Sequence, residues 1–327
     1  MSKTSRIAGA VLGAVALTAS LAACGGDSLE KDKGGSAAAA SGSGSGSGDK
    51  GTLVIGAAAF TESKVLAELY SQILGDAGYS TSVTTVKNRE LYEPSLEKGE
   101  IDVVPEYAAT ITEFLNAKVN GAAAKPVASS DAAATVDELK KLAEPRGLKV
   151  LPVGQAVDQN AFAVTKEFAE KNNLKTLSDL GASKIKVKIA AGDECEVRPF
   201  CVPGLKKTYG INVTGIDPKG VGTPQAKQAV KDGVDQVVLS TTTDGTLDSF
   251  GLVVLEDDKK LQNADNVLPV VNAKDAGSQE IADVLGKLTD ALTTDDLARL
   301  NLKVDAERAK PEDVAKEYLE SKGLVKK

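Results

Sequence analysis

Apolar residues recur along this chain in two alternating rhythms, and the alternation is its first structural statement. Over 52–56 they run almost consecutively, as in a buried strand. Over 62–77 Val65, Leu66, Leu69, Ile73 and Leu74 return at helical spacing, and Gly78 stops the run. The same grammar predicts a strand over 81–86, a helix over 91–98 ending at Gly99, and a strand over 101–104. Pro105 is expected to close that strand and present Glu106 and Tyr107. Helices over 111–115 and 136–143 and a strand over 149–153 complete the first stretch. Strands alternating with helices imply a mostly parallel sheet covered on both faces.

The pattern then repeats. Strands are predicted over 161–164, 185–190 and 234–239. Helices are predicted over 166–172, 176–180, 202–209 and 224–231. Residues 95–104 and 229–238 are alike: a helix end, a capping glycine, an aspartate and an apolar strand that opens into a polar loop. Together they predict two similar lobes aiming strand ends at a shared crevice, where open α/β sheets bind ligands. A late strand over 266–271 and helices over 278–292, 294–300 and 311–322 suit a chain that returns to its first lobe, with Thr294 as an N-cap and Pro311 at a first helical position.

The opening segment breaks both rhythms. Lys3 and Arg6 precede an uncharged, alanine-rich run over 7–23, which ends in Leu21-Ala22-Ala23-Cys24. This reads as a secretory signal over 1–23 followed by a lipobox, with Cys24 taking the lipid; an uncleaved anchor is the alternative. Residues 24–50 hold the lipidated cysteine and a Gly/Ser-rich tether without apolar periodicity. No Gly-Lys-Ser/Thr follows its glycines, so a phosphate loop is a poor reading. The expected location is the outer face of the cell membrane, anchored through Cys24.

Composition narrows the chemistry. The chain carries 46 acidic against 39 basic residues, which argues against a nucleic-acid partner. It contains no histidine, which excludes His-based triads and His-ligated metal sites. No catalytic motif is found, and the carboxylates Glu62, Glu106, Asp158 and Asp244 are scattered along the sequence. They read as hydrogen-bonded cleft residues, so the expectation is a protein that is not an enzyme and needs no metal or cofactor. Besides Cys24, Cys195 and Cys201 remain, and a pair this close in an oxidising exterior reads most simply as a local disulfide, ahead of free thiols or a partial metal site.

Several motifs, in order along 51–327, carry a family resemblance. They are Gly56 with Phe60-Thr61-Glu62-Ser63, then Glu97 to Asp102, Pro105-Glu106-Tyr107, Phe162-Ala163-Val164-Thr165, Arg198-Pro199-Phe200-Cys201, Thr243-Asp244-Gly245, Val254 to Asp258 and Asn266-Val267-Leu268-Pro269. The chain resembles the substrate-binding proteins of osmoprotectant (glycine betaine, carnitine, choline) ABC importers. The resemblance implies an α/β, two-lobed type II periplasmic-binding-protein fold with two hinge crossings, near 155–160 and 265–269, and a ligand cleft between the lobes. Lobe 1 would comprise 51–157, lobe 2 158–264, and 265–327 the return to lobe 1. It also implies a small zwitterionic or cationic solute, an ABC permease as partner, and action as a monomer.

Carried over residue by residue, Tyr107 matches a tyrosine of the family's cation cage and Thr110 a carboxylate-side hydroxyl. Asp158 matches a polar cleft residue, and Arg198 the arginine that crosses from the second lobe. Phe60 and Thr61, at a helix start, and Thr241 and Thr243, in the loop after 234–239, are further candidates, and Tyr92 is a possible extra ring. Asn160 and Thr241 stand where two more cage tyrosines are expected, and Ala58 replaces a lysine. These departures leave open a different zwitterion, such as an amino acid or an ergothioneine-like solute, or a surface lipoprotein outside transport.

Overall fold

Two five-stranded sheets built from one order of elements make up the computed structural model, which describes residues 50–121 and 123–326. The expected signal segment over 1–23, Cys24 and nearly all of the expected tether over 24–50 lie outside the described residues. In the first lobe β1 (Thr52–Ala58) leads through α1 (Thr61–Asp76) to β2 (Ser80–Val86), and then through α2 (Arg89–Lys98) to β3 (Val103–Tyr107). Helices α3 (Ala108–Asn120) and α4 (Ala132–Ala143) return the chain to β4 (Leu148–Val150). The second lobe runs β5 (Asn160–Thr165), α5 (Lys166–Asn172), α6 (Leu177–Ala182), β6 (Lys186–Ala191) and a single turn, α7 (Val202–Gly204). It continues with β7 (Asn212–Pro218), α8 (Pro224–Lys231), β8 (Val237–Thr241) and β9 (Leu252–Leu255). The chain re-enters the first sheet as β10 (Val267–Asn272) and ends in α9 (Gln279–Ala291), α10 (Thr294–Asp305) and α11 (Pro311–Lys322).

The strand orders are β2-β1-β3-β10-β4 and β7-β6-β8-β5-β9, the same topology twice. Strands β1, β2 and β3 are parallel, as are β6, β7 and β8. The expected mostly parallel sheet is modified by one strand in each lobe: β10 and β5 run antiparallel to both of their neighbours. Each of these strands enters its sheet just after the chain has crossed from the other lobe. It therefore starts at the crevice edge, where the parallel strands finish. The two crossings lie side by side, with Asp158 N–H donating to the Asp265 carbonyl (3.1 Å) and Val267 N–H to that of Ala156 (2.8 Å).

The two alike sequence segments occupy equivalent places. Gly99 and Gly233 both have φ 74°, a left-handed conformation that glycine adopts without steric cost. Each lets its helix (α2, α8) turn into the middle strand of its sheet (β3, β8). Asp102 then accepts from the Val54 N–H of β1 (2.7 Å), and Asp235 lies 3.4 Å from the Lys188 ammonium of β6.

Apolar faces explain the layers. Val65, Leu66, Leu69, Ile73 and Leu74 of α1 pack with Leu285 and Leu288 of α9 and Leu297 and Leu300 of α10 on one face of the first sheet. Leu96, Ile111, Leu115 and Leu139 cover the other face. Phe162, Val187, Ile189 and Leu205 centre the second lobe, where Cys195 and Cys201 are joined by a disulfide with a Cα–Cα distance of 5.2 Å. Among the described residues no helix is long and apolar enough to cross a membrane.

Local departures have local causes. Pro105 lies inside β3 rather than closing it, opposite Pro269. The Pro269 carbonyl accepts from Leu151 on the far side, so the polar edges of both prolines point away from each other and the pair loses no donor. Thr293, not Thr294, caps α10, in a reciprocal box with Asp296, while the Thr294 hydroxyl accepts from Val157 N–H. The edge strand β7 lacks the apolar run that marks the central ones and is largely uncovered, while β9 has such a run over only four residues.

Candidate functional site

The carboxyl ends of β1 and β8, the start of α8, the first crossing and α10 converge on a crevice of about 670 Å³. Phe60 and Thr61 end the turn out of β1. Phe60 stands at the N-cap of α1 without offering a side-chain cap, and its ring is left 47% exposed. Glu62, in the first turn of α1, is buried. Tyr107 ends β3, and its hydroxyl donates to Glu62 (2.7 Å) while its ring centre lies 6.3 Å from that of Phe60. Asn301, from α10, donates its amide to the other Glu62 oxygen (2.6 Å) and to the Thr243 carbonyl (3.2 Å).

Lobe 2 contributes the loop after β8. The Thr243 hydroxyl donates to Asp158 (2.9 Å) and sits 3.3 Å from that of Thr241. Asp244 is clasped by the Lys227 ammonium (2.7 Å), the Ser240 hydroxyl (2.5 Å) and the Thr246 N–H (3.0 Å). Gly245 packs directly on α10: a Cβ there would lie 2.2 Å from the Ala298 carbonyl oxygen. The loop is thus a contact between lobes on one side of the crevice.

Burial sets the charges. Desolvation, then the neighbouring charge of Glu62, pushes the Asp158 carboxyl up to about 7, against the opposing hydroxyls of Thr243 and Thr241. Desolvation likewise raises Glu62, although Tyr107 and Asn301 donate to it and the Thr243 hydroxyl lies near. Asp244 behaves oppositely. Burial disfavours its charge, but the hydrogen bonds from Lys227, Ser240 and Thr246 prevail and hold it below the usual carboxylate range. The crevice therefore holds one ion pair that is already satisfied and, besides the exposed Asp305 at its rim, two carboxylates, Glu62 and Asp158, that lack a cation.

Of the candidates read from the sequence, Phe60, Thr61, Asp158, Thr241 and Thr243 line this crevice, and Tyr107 lies against it through Glu62 and Phe60. Four others sit elsewhere. The backbone N–H and hydroxyl of Thr110 both donate to Asp265 (2.8 and 2.5 Å), which ties α3 to the second crossing. Asn160, opposite Thr241, donates to Gln262 (3.2 Å) and is outside the lining. Arg198 is exposed on the short disulfide loop and is also outside the lining. Tyr92 is buried, its hydroxyl donating to Glu106 (2.6 Å), which also pairs with Arg89.

The sequence places Glu62 and Asp244 in the cleft as hydrogen-bonded acids without a ligand role, and it does not single out Asn301 or Lys227. Glu62 carried a usable signal, a carboxylate in the first turn of a helix that begins at a strand end. Asn301 carried none. A second hollow of about 500 Å³, lined in part by Thr165, Lys171 and Gln236, lies where β5 ends and β8 begins, away from the crevice edge.

Residues 51–321 match the family described as OpuAC, the substrate binding domain of the ABC-type glycine betaine transport system. A glycine-betaine-binding protein of Pseudomonas aeruginosa is 28% identical over 287 residues, which cover 84% of this chain and 89% of that one. The carnitine transport binding protein OpuCC of Listeria monocytogenes is 26% identical, covering 83% of this chain and 87% of its own. The solved structure of apo YehZ from Escherichia coli superposes with a TM-score of 0.72 at 24% identity, covering 84% of this chain and 99% of that one.

Proposed function

The chain belongs to the family of substrate-binding domains of ABC-type glycine betaine transport systems, and from that premise we propose that it captures a compatible solute of the glycine betaine class outside the membrane and hands it to a permease. The observation that carries this reading is the crevice itself. Two rings, Phe60 and Tyr107, stand beside the buried carboxylate of Glu62 and the half-buried one of Asp158, at the shared edge of two lobes. Rings and carboxylates both attract a cationic nitrogen.

The protein works as a monomer held to the outer face of the membrane through a lipid on Cys24, with the tether over 24–50 as its leash. Solute binds first on lobe 1 at Phe60 and Tyr107. Closure about the paired crossings then brings the 241–244 loop over it. Closure requires tighter binding to the closed state than to the open one, which contacts from both lobes provide. A separate ATPase drives transport, and this chain catalyses nothing.

A second reading, the same role for a solute with a smaller cationic head, is favoured by Asn160 and Thr241 standing where the resemblance places rings. Thermal unfolding of the full-length protein with glycine betaine, proline betaine, carnitine, choline, ergothioneine, proline and several amino acids tests both. A ligand at a hundredfold excess over its Kd should add about 2.7 kcal/mol of stability. A shift with a fully methylated ammonium supports the first reading, and a shift with other solutes alone supports the second. No shift across the panel would remove the solute-binding reading of this crevice.

A further inference from the structure

Asn301 stands where the two lobes meet. It is buried in α10, and its side-chain amide carries two hydrogens. Nδ2 donates to Glu62 of α1 (2.6 Å) and to the Thr243 carbonyl of lobe 2 (3.2 Å). The amide therefore uses its donors to join the lobes and keeps none for a solute. Glu62 extends the connection, because its other oxygen accepts from the Tyr107 hydroxyl (2.7 Å). The Tyr107 ring in turn lies 6.3 Å from the exposed ring of Phe60. A continuous run of hydrogen bonds thus leads from a ring of the solute site, through a buried carboxylate and a buried amide, to the backbone of the loop after β8.

The far end of this run is anchored to lobe 2 and to the first crossing. The Thr243 hydroxyl donates to Asp158 (2.9 Å), and that of Thr242 to the Val157 carbonyl (2.8 Å). Val157 N–H donates to Thr294 at the start of α10 (3.0 Å). Asp244 is held by Lys227 of α8 (2.7 Å), and Gly245 leaves no room for a side chain against Ala298. Helix α10 thus meets the crossing near its start and the loop further along. A shift of the loop relative to α10 is therefore a shift of one lobe against the other.

We infer that Glu62 and Asn301 are positioning residues that couple the Tyr107 ring to the 241–246 loop, so that one hydrogen-bonded unit sets the two halves of the solute site against each other. This rests on the crevice being the solute site, and it concerns how that site is held rather than which solute it selects. A chain of contacts couples two places only if both bias one equilibrium. Here that equilibrium is the approach of the lobes, and apparent affinity falls in proportion to the population of the approached form.

The test is a double-variant cycle on glycine betaine affinity, measured by isothermal titration of the full-length protein. Asn301→Leu removes both donors at similar volume, and Tyr107→Phe removes the hydroxyl while keeping the ring. Each should weaken binding about fivefold, the weight of one hydrogen bond. If the two act as a unit, the double variant should also lie near fivefold, whereas independent contacts would multiply to about twenty-five-fold. Solution scattering without solute should show a larger radius of gyration for Asn301→Leu. Multiplicative losses, or no loss from Tyr107→Phe, refute the coupling while the transport reading stands. A parent protein that binds no glycine betaine refutes the glycine betaine reading, and scattering then decides the coupling, an unchanged radius refuting it. Where Asn301→Leu does not fold, Asn301→Ser, too short to bridge Glu62 and Thr243, takes its place in both measurements.

Discussion

Replacing Asp158 by asparagine should make the empty protein more stable at neutral pH and above, and the gain should vanish in acid. Asp158 titrates at about 7 in the fold, raised from 3.8 by burial and by the charge of Glu62. A carboxylate raised in this way favours the folded state while protonated. Its contribution is therefore fully present below about 3.8 and is lost as pH rises towards about 7. At about 1.4 kcal/mol per unit, the displacement corresponds to at most about 4 kcal/mol, of which about 2 falls between pH 5 and 7. Asparagine keeps the acceptor for the Thr243 hydroxyl and carries no charge. The stability gap between variant and parent should thus widen by up to about 3 kcal/mol from pH 5 to pH 8, or roughly 5 °C in Tm for a body of this size. Urea unfolding and thermal melts across that range, without solute, measure it. A gap that stays constant with pH, or one that narrows as pH rises, would refute the account of a carboxylate held without its cation. The charged groups facing Asp158 are Glu62 and, further off, Asp265, so no nearby base reverses the sign.

Gly245→Ala should push the 243–246 loop off α10, because the new Cβ meets the Ala298 carbonyl at 2.2 Å. A loss of about 1–3 kcal/mol is expected, with a larger radius of gyration in solution scattering as the lobes part; an unchanged radius would show the contact to be incidental. Reducing the Cys195–Cys201 bridge, which spans a sequence separation of 6, should remove about 2 kcal/mol by the loop-closure relation. A melt with and without reductant reads this directly. Arg198→Ala should change solute affinity by less than about threefold, since the crevice is lined without it; a loss of tenfold or more in titration would show that closure brings the guanidinium to the solute.

The local rules of the chain determined a good deal on their own. Helical and strand periodicity, stop signals such as Gly78 and Gly99, and the likeness of 95–104 to 229–238 specify two α/β lobes, because each depends only on neighbours within a few turns. Tyr107 at a strand end and Phe60 at a helix start were legible for the same reason. The direction of β5 and β10 was not, since it depends on which edge of a sheet the chain enters after crossing between lobes. Nor was the edge pairing of β7 and β9, which is set only by their place beside β6 and β5. The crevice lay furthest from view. Glu62 and Asn301 are 239 residues apart and touch because α1 and α10 pack on one face of the first sheet. Asp158 joins them because the first crossing runs beneath the loop after β8. Each of these acids and amides, read alone, is an ordinary solvated side chain. Only the packing of three distant segments strips their water and gathers their charge in one place, and that desolvation is what turns them into a site.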